Sequence, residues 1–408
     1  MGLARKINPA PDLLVAQRVE RVRYAIRDIA VAAEQLTRQG KHIIPLNIGD
    51  PLMFDFETPP HLIEAVTRAM RDGKNGYAPS LGVDEALEAV RAESDRKGIR
   101  DIRTVFVTHA VSEAADICLT ALVNPGENVL VPCPDYPLYS AVIAKLEAEV
   151  NSYKLDEAQG WQPDTGDVEA RVNANTRAIV LMNPNNPTGA VYPRETLEAL
   201  ADIARRHGLV IITDEIYDKL ILDGDPHCSI AALAPDVPVV TLHGLSKAYL
   251  APGWRVGWAV VSGPLNATKP YVENLHKLLR ARLSANHPLQ YAIRPALEGP
   301  QAHLKKVVEK LRHRRDLTMQ WCASNPQVEC VTPRGAFYAF PRFEISGSDE
   351  RFALDVLAEK QVLIVHGTGF GMPADAAKHF RLVFLADEET LRRAYGAISE
   401  ALAARGGS

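Results

Sequence analysis

A chain of 408 residues with 24% charged side chains and a net charge of -4 is too long for one simple core and suits a large domain with a smaller one. No basic excess points to nucleic acid, no acidic tail points to a charged partner, and apolar runs such as 209–212 are far too short to span a bilayer. Five scattered cysteines (Cys118, Cys133, Cys228, Cys322 and Cys330) form no Cys-x-x-Cys pair, so they read as thiols of a reducing cytoplasm and no metal site is expected.

The N-terminus offers no apolar stretch long enough for a signal peptide, and Lys6 stands where a myristoylation signal needs Ser or Thr, so a cytoplasmic protein is expected. The first 50 residues contain the run Tyr24-Ala25-Ile26-Arg27 and end in Asn47-Ile48-Gly49-Asp50, where glycine before an acid and Pro51 reads as a turn. Gly76-Tyr77-Ala78-Pro79 is a further loop signal. From about Arg103 onward, short apolar runs rich in β-branched residues (104–107, 128–131, 177–182, 209–212, 239–242) alternate with amphipathic stretches such as 195–207. Near-continuous apolar strands separated by helices predict an α/β architecture with a mostly parallel sheet buried on both faces. Ligands of such sheets bind beyond the carboxyl ends of the strands. Asn186, Asp214 and Lys247 each follow a predicted strand, so three residues distant in sequence can meet in one crevice. After Leu265 the pattern changes. A long helical region from about Thr268 into the 320s, strands around 336–340 and 362–365, and a final helix from Glu388 to Ala403 predict a smaller α+β domain. Gly367-Thr368-Gly369-Phe370-Gly371 has the wrong spacing for a dinucleotide loop, so a nicotinamide dehydrogenase is disfavoured and a loop of the second domain is expected.

The chemistry concentrates in three segments: Asp214-Glu215-Ile216-Tyr217, Leu245-Ser246-Lys247-Ala248-Tyr249 and Gly253-Trp254-Arg255-Val256-Gly257. A lysine amine can form a Schiff base with an aldehyde, a carboxylate can pair with a protonated pyridine nitrogen, and a guanidinium can grip a phosphate. That set suits pyridoxal 5'-phosphate. Taken singly, Asp214 reads as a helix cap, Tyr136 as a packed aromatic and Lys247 as a solvated amine; in combination the cofactor reading wins. The turn Thr108-His109-Ala110-Val111-Ser112 joins a strand to a helix, so amides near Val111 and Ser112 and the Ser112 hydroxyl can meet an anion. Arg381 lies between apolar residues, where an unsatisfied guanidinium is costly, and suits bidentate capture of a carboxylate.

Together with Asn183-Pro184-Asn185-Asn186-Pro187-Thr188-Gly189, these segments resemble the class I aminotransferases of the aspartate aminotransferase superfamily, fold type I, over nearly the whole chain. The resemblance implies that Lys247 binds the cofactor aldehyde and shuttles the proton between the substrate α-carbon and cofactor C4′, so that its replacement abolishes turnover. It implies Asp214 at the pyridine nitrogen, Tyr217 and Asn186 at the phenolic oxygen, and Tyr136 stacked on the ring. Ala110, Val111, Ser112, Ser246 and Arg255 fall to the phosphate, and Arg381, Gly49 and Asn186 to the substrate carboxylate. Two positions depart from the pattern: Ala110 replaces a usual glycine, and Gly244 stands where many relatives carry a phosphate-binding Ser or Thr. Tyr77 resembles the tyrosine that reaches the neighbouring subunit's phosphate, which implies a homodimer. The N-terminal segment, 1–50, would join a small domain of 296–408, leaving 51–295 as the large cofactor-binding domain.

Stretches 46–51, 134–137, 214–219 and 333–338 look most like bacterial alanine (glutamate-pyruvate) aminotransferases. That implies ping-pong transfer of an amino group from L-alanine to 2-oxoglutarate, with Tyr24 narrowing the pocket and Arg27 receiving the distal carboxylate, unless Arg27 is a solvated helix residue. The rivals are transaminases for valine, aromatic residues or methionine, a β-eliminating lyase on the same fold, and the sensor half of a transcription regulator. The last would need an additional DNA-binding domain, and the upstream chain is consumed by the fold.

Overall fold

A computed structural model of the chain describes residues 15–22, 25–376 and 378–405, with the side chains of 25–28 outside the description. In chain order its first strands are β1 (Ile44–Pro45), β2 (Ile102–Thr108), β3 (Asn128–Cys133), β4 (Glu149–Asp156), β5 (Gln162–Pro163), β6 (Thr176–Met182), β7 (Val210–Asp214), β8 (Val239–Gly244) and β9 (Gly257–Ser262). The later strands are β10 (Val328–Glu329), β11 (Tyr338–Ala339), β12 (Arg342–Phe343), β13 (Val362–Leu363), β14 (Val365–His366) and β15 (Phe380–Val383).

Eight strands form the central sheet in the order β2-β9-β8-β7-β6-β3-β4-β5. β8, β7, β6, β3 and β4 run parallel to their neighbours, whereas β9 is antiparallel to both β2 and β8, and β5 to β4. This is the mostly parallel, doubly covered sheet that the apolar runs predict. Ile179, Val180 and Leu181 of β6, Ile211 and Ile212 of β7 and Val239, Val240 and Leu242 of β8 are fully buried, each worth roughly 1.5–3 kcal/mol relative to exposure. Helices Ala110–Thr120, Pro137–Lys145 and Arg194–His207 follow β2, β3 and β6.

Away from the central sheet, β1 pairs in parallel with β13, and β11-β15-β14 form a small antiparallel sheet. Leu46 binds both: its N–H donates to Leu363 O (2.9 Å) and its carbonyl accepts from Val383 N–H (3.0 Å). The turn 47–50 is thereby fixed beside β15, which carries Arg381.

Three expectations need correction. The long helical region is two helices, Leu265–Arg282 and Ala302–Ser324, separated by a short helix Ile293–Glu298. The break begins at Leu283, whose φ of +81° lies outside the helical range, and Pro288 follows. The strand around 336–340 shrinks to β11, because Ala336 takes φ +56° and cannot continue an extended chain. The run 362–365 divides at Ile364, with β13 paired to β1 and β14 to β15. The final helix, Glu388–Ala403, has the expected bounds, with Asp387 as N-cap accepting from Thr390 N–H.

Candidate active site

Strand register brings the chemistry together. Asp214 ends β7, opposite Met182 at the end of β6 and Leu242 of β8. Asn186 lies four residues beyond Met182 and Lys247 five beyond Leu242, so both emerge at the carboxyl end of the sheet next to Asp214. The loop 183–189 is stitched by its own asparagines: Asn183 Oδ1 accepts Tyr192 N–H (3.0 Å), and Asn185 Oδ1 accepts the Thr188 hydroxyl (2.8 Å). Gly189, at φ +70°, has no room for a side chain, since a Cβ would sit 2.5 Å from Pro333.

A cavity of about 400 Å³ opens there. Lys247, Asp214, Tyr217, Asn186, Arg255, Tyr136, Ala110, Val111, Ser112, Ser246, Arg381 and Gly49 all line it. Tyr77 does not: it is 81% exposed on its loop. Tyr24 lies outside the described residues, and Arg27 falls in the helix Ala25–Arg38 with its side chain outside them.

Lys247 Nζ donates to Gly49 O at 2.6 Å. Burial pulls its amine down to about 8, with Arg381 and Arg255 acting the same way and Asp50 and Asp214 opposing. Asp214 is 1% exposed; it accepts from the Tyr139 hydroxyl (2.9 Å) and from Ile216 N–H (3.1 Å). Burial raises its carboxyl to about 6, Glu215 adding to the rise and the two donors and Lys247 restraining it. The Tyr217 hydroxyl meets that of Tyr338 at 2.7 Å, and burial holds it well above the usual phenol range.

Arg381, 2% exposed, donates to Asn186 Oδ1 (3.0 Å) and to the Asn47 carbonyl. Its guanidinium lies 4.8 Å from the Tyr338 ring centre and 4.9 Å from that of Phe370, a geometry that fixes its plane. Gly49 is obligatory here because a Cβ would collide with the Tyr338 hydroxyl and lie 2.7 Å from Phe337.

The opposite end of the cavity is the start of helix Ala110–Thr120, whose first-turn N–H groups have no partner within the helix. Gly257 lets that backbone approach β9, since a Cβ would stand 2.5–2.7 Å from Ala110 and Val111 backbone atoms. Ala110 holds φ +63°, which accounts for the glycine usual at this position in the resembling family. Gly244 packs against β9, where a Cβ would be 2.6 Å from Val256 O. Arg255 is exposed at the rim and donates to Pro252 O at 3.0 Å.

Sequence reasoning missed Tyr338, which ends the stretch 333–338, Tyr139, two residues beyond 134–137, and the lining residues Ile48, Asp50 and Met182. A tyrosine inside Pro137-Leu138-Tyr139 carries no local mark of a partner 75 positions away.

The fold and the site define a fold-type I transferase: a mostly parallel α/β sheet that ends on a buried carboxylate and an amine, faced by a clamped arginine. The chain belongs to the aminotransferase class I and II family, whose model matches residues 41–398. It is 41% identical over 379 residues to the glutamate-pyruvate aminotransferase AlaA of Haemophilus influenzae, covering 91% of this chain and 93% of that one. Against the alanine aminotransferase of Mycobacterium tuberculosis the identity is 39% over 378 residues, covering 90% and 87%. Among solved structures, the alanine aminotransferase from Pyrococcus furiosus superposes with a TM-score of 0.92 at 40% identity, covering 96% of this chain and all of that one. Among the described residues no helix is long and apolar enough to cross a membrane, and no group of three or more His, Cys, Asp or Glu could hold a metal. The five cysteines are free.

Proposed function

We propose that the chain is a pyridoxal 5'-phosphate-dependent alanine transaminase, moving the amino group of L-alanine to 2-oxoglutarate to give pyruvate and L-glutamate. The observation that carries this reading is the meeting, in one cavity of about 400 Å³, of the Lys247 amine, the buried Asp214 carboxylate and the buried Arg381 clamp. The donor set fits the cofactor at each of its polar groups. Asp214 is a buried anion for a ring nitrogen, and Tyr217 and Asn186 offer hydrogen bonds to a phenolic oxygen. The first turn at Ala110, Val111 and Ser112, the Ser246 hydroxyl and Arg255 suit a phosphate. Tyr136, at the start of helix Pro137–Lys145, suits a stacked aromatic face.

When bound there, pyridoxal phosphate supplies an electron sink for the electron pair left on the substrate α-carbon. The protein's own residues do the rest. Lys247 Nζ, whose pKa is brought down to about 8 so that its neutral form is accessible, would take the proton from the α-carbon and deliver it to cofactor C4′, and carry it the opposite way in the second half of the cycle. Asp214 holds negative charge at the ring nitrogen, where it strengthens that sink. Arg381, oriented by Asn186 and Asn47, holds the α-carboxylate with the Gly49 backbone, leaving the α-carbon facing Lys247. Alanine gives up its amino group and leaves as pyruvate before 2-oxoglutarate takes the group and leaves as glutamate.

Tyr24 and Arg27 would shape the substrate end, Arg27 receiving the distal carboxylate of glutamate. The active unit would be a homodimer in which exposed Tyr77 reaches the other subunit's phosphate, each subunit divided into 51–295 and a smaller domain of 296–408 joined by 1–50. Five free thiols suit a cytoplasmic enzyme. The first experiment is the visible spectrum of the protein with L-alanine and no keto acid. Loss of the yellow band with stoichiometric pyruvate supports the reading. A band that ignores alanine but responds to another amino acid changes the substrate, and a protein that takes up no pyridoxal phosphate refutes the whole proposal.

A further inference from the structure

The turn that begins at Asp214 packs three carboxylates into five residues: Asp214, Glu215 and Asp218 are 1%, 1% and 6% exposed. Such crowding is unfavourable without a counter-charge. Lys97, just beyond the helix Asp84–Arg96, supplies one, with Nζ 2.5 Å from Asp218 Oδ2 and 3.7 Å from Glu215 Oε2. His243 of β8 completes the cluster. Its Nε2 is 2.7 Å from Asp218 Oδ1, its Nδ1 accepts Gly244 N–H at 2.7 Å, and its ring stacks on Trp258 at 5.1 Å. With Nδ1 accepting from the backbone, Nε2 is the ring nitrogen that donates to Asp218.

The remaining charged neighbours are accounted for. Glu93, in the last turn of the helix that Lys97 caps, is held by Lys219 (2.7 Å) and Arg96 (2.8 Å). Burial pushes His227 toward its neutral form, and Glu215 Oε1 accepts the Ser229 hydroxyl at 2.6 Å. Lys97 is thus the cation shared by Glu215 and Asp218. None of Lys97, Glu215, Asp218 and His243 lines the cavity, yet the cluster joins both halves of the site. Glu215 adjoins Asp214, Asp218 adjoins Tyr217, and His243 stands four residues before Lys247.

We propose that Lys97 is a positioning residue: its ammonium balances Glu215 and Asp218 so that Asp214 remains anionic, and through Asp218 and His243 it fixes the Asp214–Tyr217 turn against the strand end that carries Lys247. The inference rests on the proposed cofactor reading of Asp214 and Lys247. Removing the cation leaves excess negative charge behind Asp214, so every nearby group binds protons more tightly.

The test uses the holoenzyme reconstituted with pyridoxal phosphate, in wild type, Lys97→Met, Lys97→Arg and the charge-balanced double variant Lys97→Met/Asp218→Asn. Two properties are read against pH: the visible band of the bound cofactor and the rate of pyruvate release from alanine in a single half-reaction. Lys97→Met should move the midpoint of the band and the acid limb of the rate upward by about one pH unit, and slow release at neutral pH about tenfold. The double variant should recover at least half of the shift, and Lys97→Arg nearly all of it. If Lys97→Met does not fold, Asp218→Asn carries the test with opposite sign, because it removes one negative charge and leaves Lys97 balanced by Glu215 alone, and should move the midpoint downward. Unmoved midpoints in the folded variants, with only the melting temperature lowered, would reduce the cluster to structural glue and overturn the proposal. A wild type that takes up no cofactor would overturn the functional reading and this inference together.

Discussion

The charge on Asp214 is supported by a phenol as well as by the Ile216 N–H. Tyr139 Oη donates to its Oδ2 at 2.9 Å in a site where burial already raises the carboxyl to about 6. A hydrogen bond to a charged group contributes about 1.5–3 kcal/mol. Tyr139→Phe should therefore lower kcat/KM for alanine roughly tenfold and shift the acid limb of the pH profile to higher pH, with an unchanged far-UV spectrum. An unmoved acid limb, measured by steady-state kinetics from pH 5 to 9, would remove Tyr139 from the role. Lys247→Ala should leave no measurable turnover while retaining the fold. The difference between these two residues marks what a sequence can disclose at this scale. Lys247, Asp214 and Arg255 sit in short motifs whose residue types and spacing carry their chemistry. Tyr139 and Tyr338 act through side-chain hydrogen bonds to partners 75 and 121 positions away, which no local pattern encodes.

Among the elements, strands buried on both faces were legible because their runs are continuous and β-branched: β3, β6, β7 and β8 all appear where 128–131, 177–182, 209–212 and 239–242 predict them. β9 was not anticipated, although Gly257–Ser262 is buried throughout: its first residue ends the arginine motif, and no apolar run was read between 239–242 and Leu265. The helix break at Leu283 depends on one residue held at φ +81°, a tertiary effect. Ala110 is the corresponding strained point within the site. At φ +63° an alanine costs about 1–2 kcal/mol, whereas glycine gives back roughly 0.5–1 kcal/mol through the freedom of the unfolded chain. Ala110→Gly should therefore raise stability by about 0.5 kcal/mol and preserve turnover. Ala110→Val, β-branched in the same conformation, should lower the melting temperature and weaken cofactor retention. Equal melting temperatures for the two variants would show that the first turn relaxes freely and is no rigid cradle.

For the molecule as a whole, the pH dependence of stability follows from the two opposed titrations at the centre of the site. Burial raises Asp214 from 3.8 to about 6, so between those values the folded state binds more protons than the unfolded one, and stability falls as pH rises. Burial lowers Lys247 from 10.5 to about 8, so between 8 and 10.5 the unfolded state binds more protons, and stability rises with pH. From about pH 6 to 8 both unfavourable charges are present together: a buried anion and a half-buried cation, both lining the cavity. A ligand that consumes the lysine amine and offers Asp214 a protonated ring nitrogen relieves both, in addition to its ordinary mass-action stabilisation. The cofactor-free protein should therefore gain most in melting temperature on reconstitution with pyridoxal phosphate near pH 7, and less at pH 5, where Asp214 is already protonated. At pH 9.5, where Lys247 is already neutral, the gain should again be smaller. Differential scanning calorimetry at the three pH values measures this directly. In Lys247→Ala the gain should shrink and its fall toward alkaline pH disappear, whereas the fall toward acid pH, which belongs to Asp214, should persist. A gain independent of pH in the unaltered protein would mean that the two groups do not sense the cofactor, and would separate the stability of the fold from the chemistry proposed for it.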